Sequence, residues 1–410
     1  MAANVEDVTA PDGARDETRL LALARDGDEG AFGELAGAYR AELRAHCYRI
    51  IGSVADAEDA LQEGLLRAWR GLRGFEGRGS ARSWMYAIVT NAALDLTRNR
   101  WRRELPVSFG PSASPGTDVG APLTEQPWLD PYPDHWLADN TRLSPEARYE
   151  QRESVELAFM VALQHLPPLQ RTVLLLREVV GFSTAEIAEQ LATTPQAVNS
   201  ALQRARGALR NRLPATSQQS ALRTLGDQRT RELVERYADA IEHGDADTLI
   251  SMLTDDASWS MPPVPTYFRG HDAVRQFLVS SPLNYRWKHV PVRANGQPAV
   301  GCYLLDQARD AFIPAVLDVL TLDGTKIAAV TGFLAAAVSS ELPPPGDPEV
   351  NGHDVPEASA RGTWISGPQL FSRFGLPDEL PREGDAPQAV GKSPGGATES
   401  DGGHEKFARR

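Results

Sequence analysis

The residues with the clearest chemical purpose lie between Ser183 and Leu213, STAEIAEQLATTPQAVNSALQRARGALRNRL. At helical spacing Gln196, Asn199, Ser200, Gln203 and Gly207 share one face, and short amides and hydroxyls of this kind hydrogen-bond the edges of bases. Arg204, Arg206, Arg210 and Arg212 stand beside and beyond them, where guanidinium groups can reach phosphates. The chemistry is recognition of a duplex rather than bond making. A second basic group closes WMYAIVTNAALDLTRNRWRR, where Arg98, Arg100, Arg102 and Arg103 surround Trp101, with Trp84 and Tyr86 near the start. Arginine interleaved with aromatic rings suits single-stranded DNA, because bases stack on rings while phosphates meet charge. The same run also fits a helix C-terminus whose cations complement its dipole.

These side chains need helices to position them. Ser183 with Glu186 three residues on forms a capping box, which starts a helix near Thr184. Thr194 can cap a second helix, and Pro195 suits its first turn because the missing N–H has no partner there. Val198, Leu202, Ala205 and Leu209 then form one inward apolar stripe. The break at Ala192-Thr193-Thr194 makes the pair a helix-turn-helix, although a plain helical hairpin with a solvated arginine flank fits the same residues. Residues from about Thr18 to Arg103 read as wholly helical. Within them Asp56 to Trp69 places Leu61, Leu65, Ala68 and Leu72 on a buried face, while Asp56, Asp59, Glu63 and Leu66 project elsewhere. An acidic face with one exposed leucine fits a protein contact or an ordinary solvated surface.

Composition limits what such a chain can do alone. Its 410 residues predict two or three domains. The net charge of -13 has the wrong sign for a free-standing DNA binder, because affinity comes largely from phosphate neutralisation. The charge must be segregated, or a partner must supply the rest. Of 42 basic residues only Lys288, Lys326, Lys392 and Lys406 are lysine, a bias we attribute to a GC-rich bacterial genome. Cys47 and Cys302 stand apart from each other and from any Cys/His cluster, so neither a disulfide framework nor a zinc site is indicated. The N-terminus lacks a cleavable apolar pattern, and no run approaches the ~20 apolar residues of a membrane span. A cytoplasmic protein without a membrane partner is expected.

The order of DAEDALQEGLLRAW, SWMYAIVTNAALDLTRNRWRR, LQHLPPLQRTVLLLREVVGFSTAEIAEQL and the helix-turn-helix resembles the sigma-70 family of RNA polymerase sigma factors. It is most similar to the compact extracytoplasmic-function group, which keeps only regions two and four. The resemblance implies two partners, core RNA polymerase and promoter DNA. By it Asp56, Asp59, Gln62, Glu63 and Leu66 dock on the β′ clamp, and Phe75 to Arg103 melts the minus-ten element. It further implies that Leu166 to Arg212 reads the minus-thirty-five element and touches the β flap. An anti-sigma factor or a small ligand is a further partner that it leaves open.

Leu105 to Leu143, rich in Pro, Gly and Ser, reads as a linker. Its aromatic stretch PWLDPYPDHWL, residues 127 to 137, resembles the inter-domain motif of a sigma subgroup with an extra C-terminal domain. That implies docking on the extra domain or lining the polymerase channel, while the plainer reading has Trp128, Tyr132 and Trp136 covering a seam. After a polar break at Thr216 to Ser220, two helices are expected, Arg229 to Glu242 and Asp245 to Leu253. A strand at Ala257 to Met261 and a helix at His271 to Val279 follow. Four more strands are expected at Arg286 to Ala294, Ala299 to Asp306, Ala311 to Thr321 and Lys326 to Phe333. This α+β order resembles the SnoaL-like, ketosteroid-isomerase-like cone, whose curved sheet wraps a pocket. Enzymes on that fold use a buried Asp with Tyr or protonated Asp donors, so Asp318, Tyr267, Tyr303 and Trp259 are the pocket candidates. No catalytic set matches residue by residue, and neither an enzyme nor a cofactor is expected.

The tail from Ser339 is dominated by Pro, Gly, Asp and Ser and is expected to be disordered. TWISGPQLFSRFGLP, residues 363 to 377, interrupts it as an apolar island that either folds back as a latch or makes weak contacts. The chain thus divides into multiple domains. Two all-α units at 18–104 and 151–214 are joined by a linker at 105–150, and an α+β unit at 228–338 precedes the tail at 339–410. We read it as a sigma factor regulated in cis by its SnoaL-like domain. The alternative is a one-component helix-turn-helix regulator that senses a small molecule, which leaves Asp56 to Trp69 without a task. An isomerase or cyclase would require activity that depends on Asp318.

Overall fold

The computed structural model describes residues 12–75, 77, 79–97, 102–123, 125–138, 150–210, 212–335 and 366–382. Helices α1 (Asp12–Arg25), α2 (Glu29–Ile51), α3 (Val54–Gly71) and α4 (Ala81–Thr97) form the first unit, beginning a little before the expected Thr18. Asp28 caps α2 by accepting from the Ala31 amide, and Ser53 caps α3 by accepting from Asp56. The helices α3 and α4 approach closely because Gly64 has no side chain. A Cβ there would lie 2.7 Å from Val89 Cγ2.

The second unit contains α5 (Leu157–Gln164), α6 (Pro168–Leu174) with a π turn at Leu175–Val179, α7 (Thr184–Gln190) and α8 (Pro195–Leu209). The capping box is present, with the Glu186 amide 3.2 Å from Ser183 Oγ and the Ser183 amide 2.8 Å from Glu186 Oε2. Thr194 accepts from the Ala197 amide at 3.2 Å and starts α8. Ala192, at φ 49°, turns the chain between the two helices. Val198, Leu202, Ala205 and Leu209 are buried as one stripe.

The third unit begins with α9 (Gln218–Leu225), α10 (Asp227–Glu242) and α11 (Ala246–Met252), followed by β1 (Leu253–Ser260), β2 (Tyr267–Arg269) and α12 (His271–Ser280). Strands β3 (Trp287–Ala294), β4 (Gln297–Asp306), β5 (Ala311–Asp323) and β6 (Lys326–Leu334) complete a curved sheet of order β2-β1-β6-β5-β4-β3. β1 and β6 run parallel, and the other neighbours are antiparallel. The expected polar break at Thr216 to Ser220 is instead the start of α9. Its glutamines are polar because they work inside an interface. Gln218 Nε2 donates to Leu322 O at 2.9 Å, and Gln219 Nε2 donates to Gly296 O at 2.6 Å. No helix among the described residues is long and apolar enough to cross a membrane.

The island folds back. In its described part α13 (Gly367–Arg373) lies on the outer face of the sheet, and β7 (Leu380–Pro381) pairs with β5. Phe371 meets Tyr303 edge-on with ring centroids 4.9 Å apart, and Tyr303 OH donates to Pro377 O at 2.8 Å. Trp364 and Ile365 lie outside the described residues, as do residues 336–365 and 383–410 generally.

The three units are joined through buried polar groups. Asn295, in the Asn-Gly turn between β3 and β4, is fully buried. Its Nδ2 donates to Tyr48 OH of α2 at 3.0 Å and to Val155 O before α5 at 2.7 Å. Its Oδ1 accepts from the Tyr132 amide of the linker at 2.8 Å. The 127–137 stretch therefore docks on both flanks: Asp130 Oδ2 accepts from the Val54 amide at 2.9 Å, and Asp134 Oδ1 accepts from Gly296 at 2.7 Å. Arg49 of α2 donates to Ser154 O and Gln151 O, and Arg171 of α6 donates to Ile50 O at the end of α2. Gln190 of α7 donates to Ser83 of α4 at 2.9 Å, beside the Tyr86–Phe182 ring contact. Glu156 accepts from the amides of Gln218 and Gln219 at 3.0 and 2.9 Å, and its burial pushes the carboxyl up to about 7.

Two outcomes follow from these bonds. Asn295→Gly keeps the turn at φ 54° without strain but deletes the amide. It should destabilise the joined state by about 3 kcal/mol, one for each group left unpaired, measured by urea unfolding with scattering to follow separation of the units. A carboxyl whose pKa rises on folding from an ordinary 4.5 to about 7 adds stability at low pH and loses it as pH climbs through that upper value. Thermal melts from about pH 5 to about pH 8 should fall less steeply in Glu156→Gln, at some loss of stability, than in the unaltered chain.

Candidate functional site

Helix α8 presents its polar face outward. Gln196, Asn199, Ser200, Gln203, Arg204 and Arg206 are all exposed, because the opposite stripe is packed against α6 and α7. Thr184 Oγ1 lies 3.5 Å from Asn199 Oδ1, and Arg206 pairs with Glu178 at 2.6 Å. Apart from those two contacts the row of short amides and hydroxyls faces open space over three turns. This is the geometry base-edge reading requires.

The basic run after α4 is only partly of this kind. Arg98 and Arg100 lie outside the described residues, as does Trp101. Arg102 is exposed but engaged, bonding Glu104 and lying 2.8 Å from His165 Nδ1. Arg103, expected on DNA, is 5% exposed and donates to Trp128 O at 2.9 Å and to Asp56. It is a bracket holding the linker to α3. Tyr86 is likewise buried, against His46 and Phe182, while half-buried Trp84 meets Phe75 at a tilt.

On α3 the residues expected at a protein contact differ in exposure. Asp59 and Gln62 are exposed, and Leu66 is 49% exposed, the kind of lone apolar side chain a partner can cover. Glu63 pairs with Arg67 at 2.7 Å one turn on. Asp56 differs, being turned to Arg103 in an ion pair whose side chains are largely buried.

The sheet of the third unit wraps a cavity of about 680 Å³. Asp318 on β5 and Trp259 on β1 line it, as expected. Tyr267 and Tyr303 do not. The alternation of β4 sets Cys302 inward and its neighbour Tyr303 outward onto Phe371. Tyr267 sits on the short edge strand, its OH donating to Gly110 O at 3.3 Å. The groups that were missed are Tyr237, Cys302 and His289. Tyr237 OH donates to Asp318 Oδ2 at 2.9 Å, and Cys302 Sγ lies 3.4 Å from the same oxygen. Burial pushes the Asp318 carboxyl up, and these two donors pull against it. Gly332 makes room for it, since a Cβ there would lie 2.7 Å from Asp318 Oδ1. His289 bonds Glu242 through Nδ1 at 2.9 Å. Burial alone would raise Glu242, yet the bond and charge of His289 hold it below its ordinary range. Trp287 and His289 alternate along β3, and that period of two was the available signal for His289. Tyr237 has no such signal.

The linker forms part of the cavity wall. Ala113 donates to Tyr267 O at 2.8 Å and Leu123 donates to Pro263 O at 2.9 Å. Between them Gly116 to Gly120 and Pro122 line the cavity.

Comparison with known proteins agrees with this organisation. Residues 35–103 match Sigma-70 region 2, residues 156–209 match Sigma-70 region 4, and residues 234–330 match the SnoaL-like domain. The chain is 40% identical over 373 residues to the ECF RNA polymerase sigma factor SigG of Mycobacterium tuberculosis, covering 90% of this chain and 89% of the relative. It is 30% identical over 255 residues to SigJ of the same organism, covering 60% of this chain and 72% of SigJ. The crystal structure of that extracytoplasmic function sigma factor SigJ aligns with a TM-score of 0.47 at 24% identity, covering 74% of this chain and 95% of that one.

Proposed function

Because this chain belongs to the extracytoplasmic-function sigma factors, we propose that α8 reads the minus-thirty-five element, that the α4 unit opens the minus-ten element, and that α3 docks on core polymerase. Asp59, Gln62, Glu63 and Leu66 are assigned to the β′ clamp, with Asp56 joining once Arg103 releases it. Gln196, Asn199, Ser200 and Gln203 are assigned to bases, and Arg204 and Arg206 to phosphates. Region four also reaches the β flap. The chain catalyses no reaction of its own and works in the cytoplasm, where polymerase and promoter are. The observation that carries this reading is a fully exposed recognition face on α8 in a chain of net charge -13 that also presents a half-exposed leucine on an acidic helix.

The third unit is assigned a regulatory role in cis. Elements about 25 base pairs apart are separated by roughly 85 Å of B-form DNA at 3.4 Å per base pair. Here α4 and α7 touch through Ser83 and Gln190, and α8, with its 15 residues, is only about 22 Å long. The two readers cannot reach both elements while held this way. The SnoaL-like domain supports the closed state through Asn295 and Glu156, and opening it is the step it controls. A one-component operator binder gains nothing from the exposed α3 face and is not favoured.

Reconstituted transcription with core polymerase tests these assignments. Gln203→Ala and Arg204→Ala should lower promoter use about tenfold, the effect of losing one good base or phosphate contact, with core binding retained. Asp59→Ala and Leu66→Ala should weaken core binding itself. Equal loss of core binding in both pairs would contradict the division. Truncation after Pro214 should raise promoter-specific output, and unchanged output would remove the regulatory role.

A further inference from the structure

The returning segment 366–382 is seated more firmly than a chain end requires. Phe371 is fully buried, and Leu370, Phe374 and Leu376 are nearly so. The sheet is shaped to receive them. A Cβ on Gly301 of β4 would lie 2.5 Å from Leu376 Cδ1 and 3.1 Å from Phe371 Cε1, and the atoms nearest to that position all belong to the segment. Glycine weakens a strand interior, and one placed there marks a close approach by another part of the chain. Gly367 makes the matching approach from the segment, since a Cβ on it would lie 2.7 Å from Pro314 O of β5. Tyr303 OH donates to Pro377 O at 2.8 Å, β7 extends the sheet beside Ala311 and Phe312, and Arg382 pairs with Asp310 at 2.6 Å.

This seat faces the helical units and not the cavity. Its apolar side chains belong to the continuous core that includes Ile50 of α2 with Leu129 and Tyr132 of the linker, whereas Trp259 and Phe277 belong to a separate core. Arg373 leads the same way. Burial pushes the Asp130 carboxyl up, and Arg103 and Arg373 are the two cations that oppose it, together with the bond from the Val54 amide. Asp130 thereby holds the start of α3, and its own amide donates to Gly52 O at the end of α2. The connection allows release. Ala335 leaves the sheet and Gly367 begins α13, yet the Ala335 Cβ is only 3.4 Å from the position of a Cβ on Gly367. Residues 336–365 are far longer than that gap requires, so the segment can leave its seat and remain tethered at high effective concentration.

We propose that segment 366–382 is a removable latch: seated on Gly301, Tyr303 and Pro314 it holds the two DNA-reading units closed through the linker, and unseated it lets them part. The outer face of the sheet is thus a binding surface whose occupant is a segment of this same chain. The latch rests on the reading that the closed state must open for promoter use. Its test needs neither polymerase nor promoter, so its failure and failure of that reading are separate results.

Dyes on cysteines introduced at the exposed positions Arg70 and Arg210 report the distance between the units in the purified full chain. Variants are compared at the urea concentration that opens half of the unaltered chain, with circular dichroism to show that helices and sheet remain. Phe371→Asp alters the segment and not its seat, and it should lower the ratio of closed to open chain at least about tenfold, as loss of a buried aromatic contact requires. A synthetic peptide of residues 366–382 added to that variant should restore the short distance. Gly301→Val blocks the seat, so it should open the chain and leave the same peptide without effect. Arg373→Gln keeps the apolar contacts but removes the charge facing Asp130, and should open the chain to a smaller degree. A Phe371→Asp chain that stays closed, one that opens but does not close with peptide, or opening that comes only with loss of circular dichroism would each overturn the latch. Closing of a Gly301→Val chain by the peptide would overturn the seat, and an Arg373→Gln chain as closed as the unaltered one would overturn the route through Asp130.

Discussion

One buried carboxamide, the side chain of Asn295, meets helix α2, the linker and the start of the second helical unit at a single point. Its two donors and its acceptor are all used, and burial without them would be costly. The bonds therefore form only when all three segments arrive together, which gives the assembly an all-or-none character. Its geometry comes from the turn it sits in. Asn295 and Gly296 both take positive φ, at 54° and 70°, a pairing that favours Asn-Gly at a two-residue hairpin. A local rule of strand connection thus places a long-range connector.

The other inter-unit bonds follow the same logic of polar groups that are satisfied only across a boundary. Arg49 and Arg171 are buried arginines that each donate to a carbonyl oxygen of another unit. Glu156 serves the first amides of α9, a helix start that would otherwise leave free donors. Such bonds are strong while dry and are readily exchanged for water once the boundary opens. This suits the proposed cycle, in which the two DNA readers are held together at one time and separated at another. The ion pair of Asp56 with Arg103 carries that coupling to α3, the helix proposed to meet polymerase, since Arg103 also grips the linker at Trp128 O.

What could be read from the sequence was what depends on near neighbours. The capping box at Ser183, the stripe on α8 and the strands from Arg286 onward are set by spacings of two to four residues, and they are present with small shifts of boundary. What could not be read depends on residues far apart in the chain. The glutamines of α9 looked like a polar break because their partners, Leu322 and Gly296, are distant. Arg103 looked like a DNA contact because nothing nearby indicated that Asp56 and Trp128 would enclose it. Tyr303 was assigned to the pocket, but the register of β4 on β5, which no local pattern gives, turns Cys302 inward and Tyr303 outward. The aromatic stretch at 127 to 137 announced a contact without naming its surface, which proves to be two surfaces at once.

The central claim is that the closed arrangement is a held state that must open for promoter reading, and the distance between the two units reports it directly. Cys47 and Cys302 are buried, so dye pairs can be placed on cysteines introduced at the exposed positions Arg70 and Arg210. Single-molecule energy transfer should show one narrow, short distance in the free chain. With core polymerase and promoter DNA it should shift by tens of ångströms, towards the roughly 85 Å that 25 base pairs of B-form DNA span. A free chain that already samples the long distance, or a promoter complex that keeps the short one, would contradict the account.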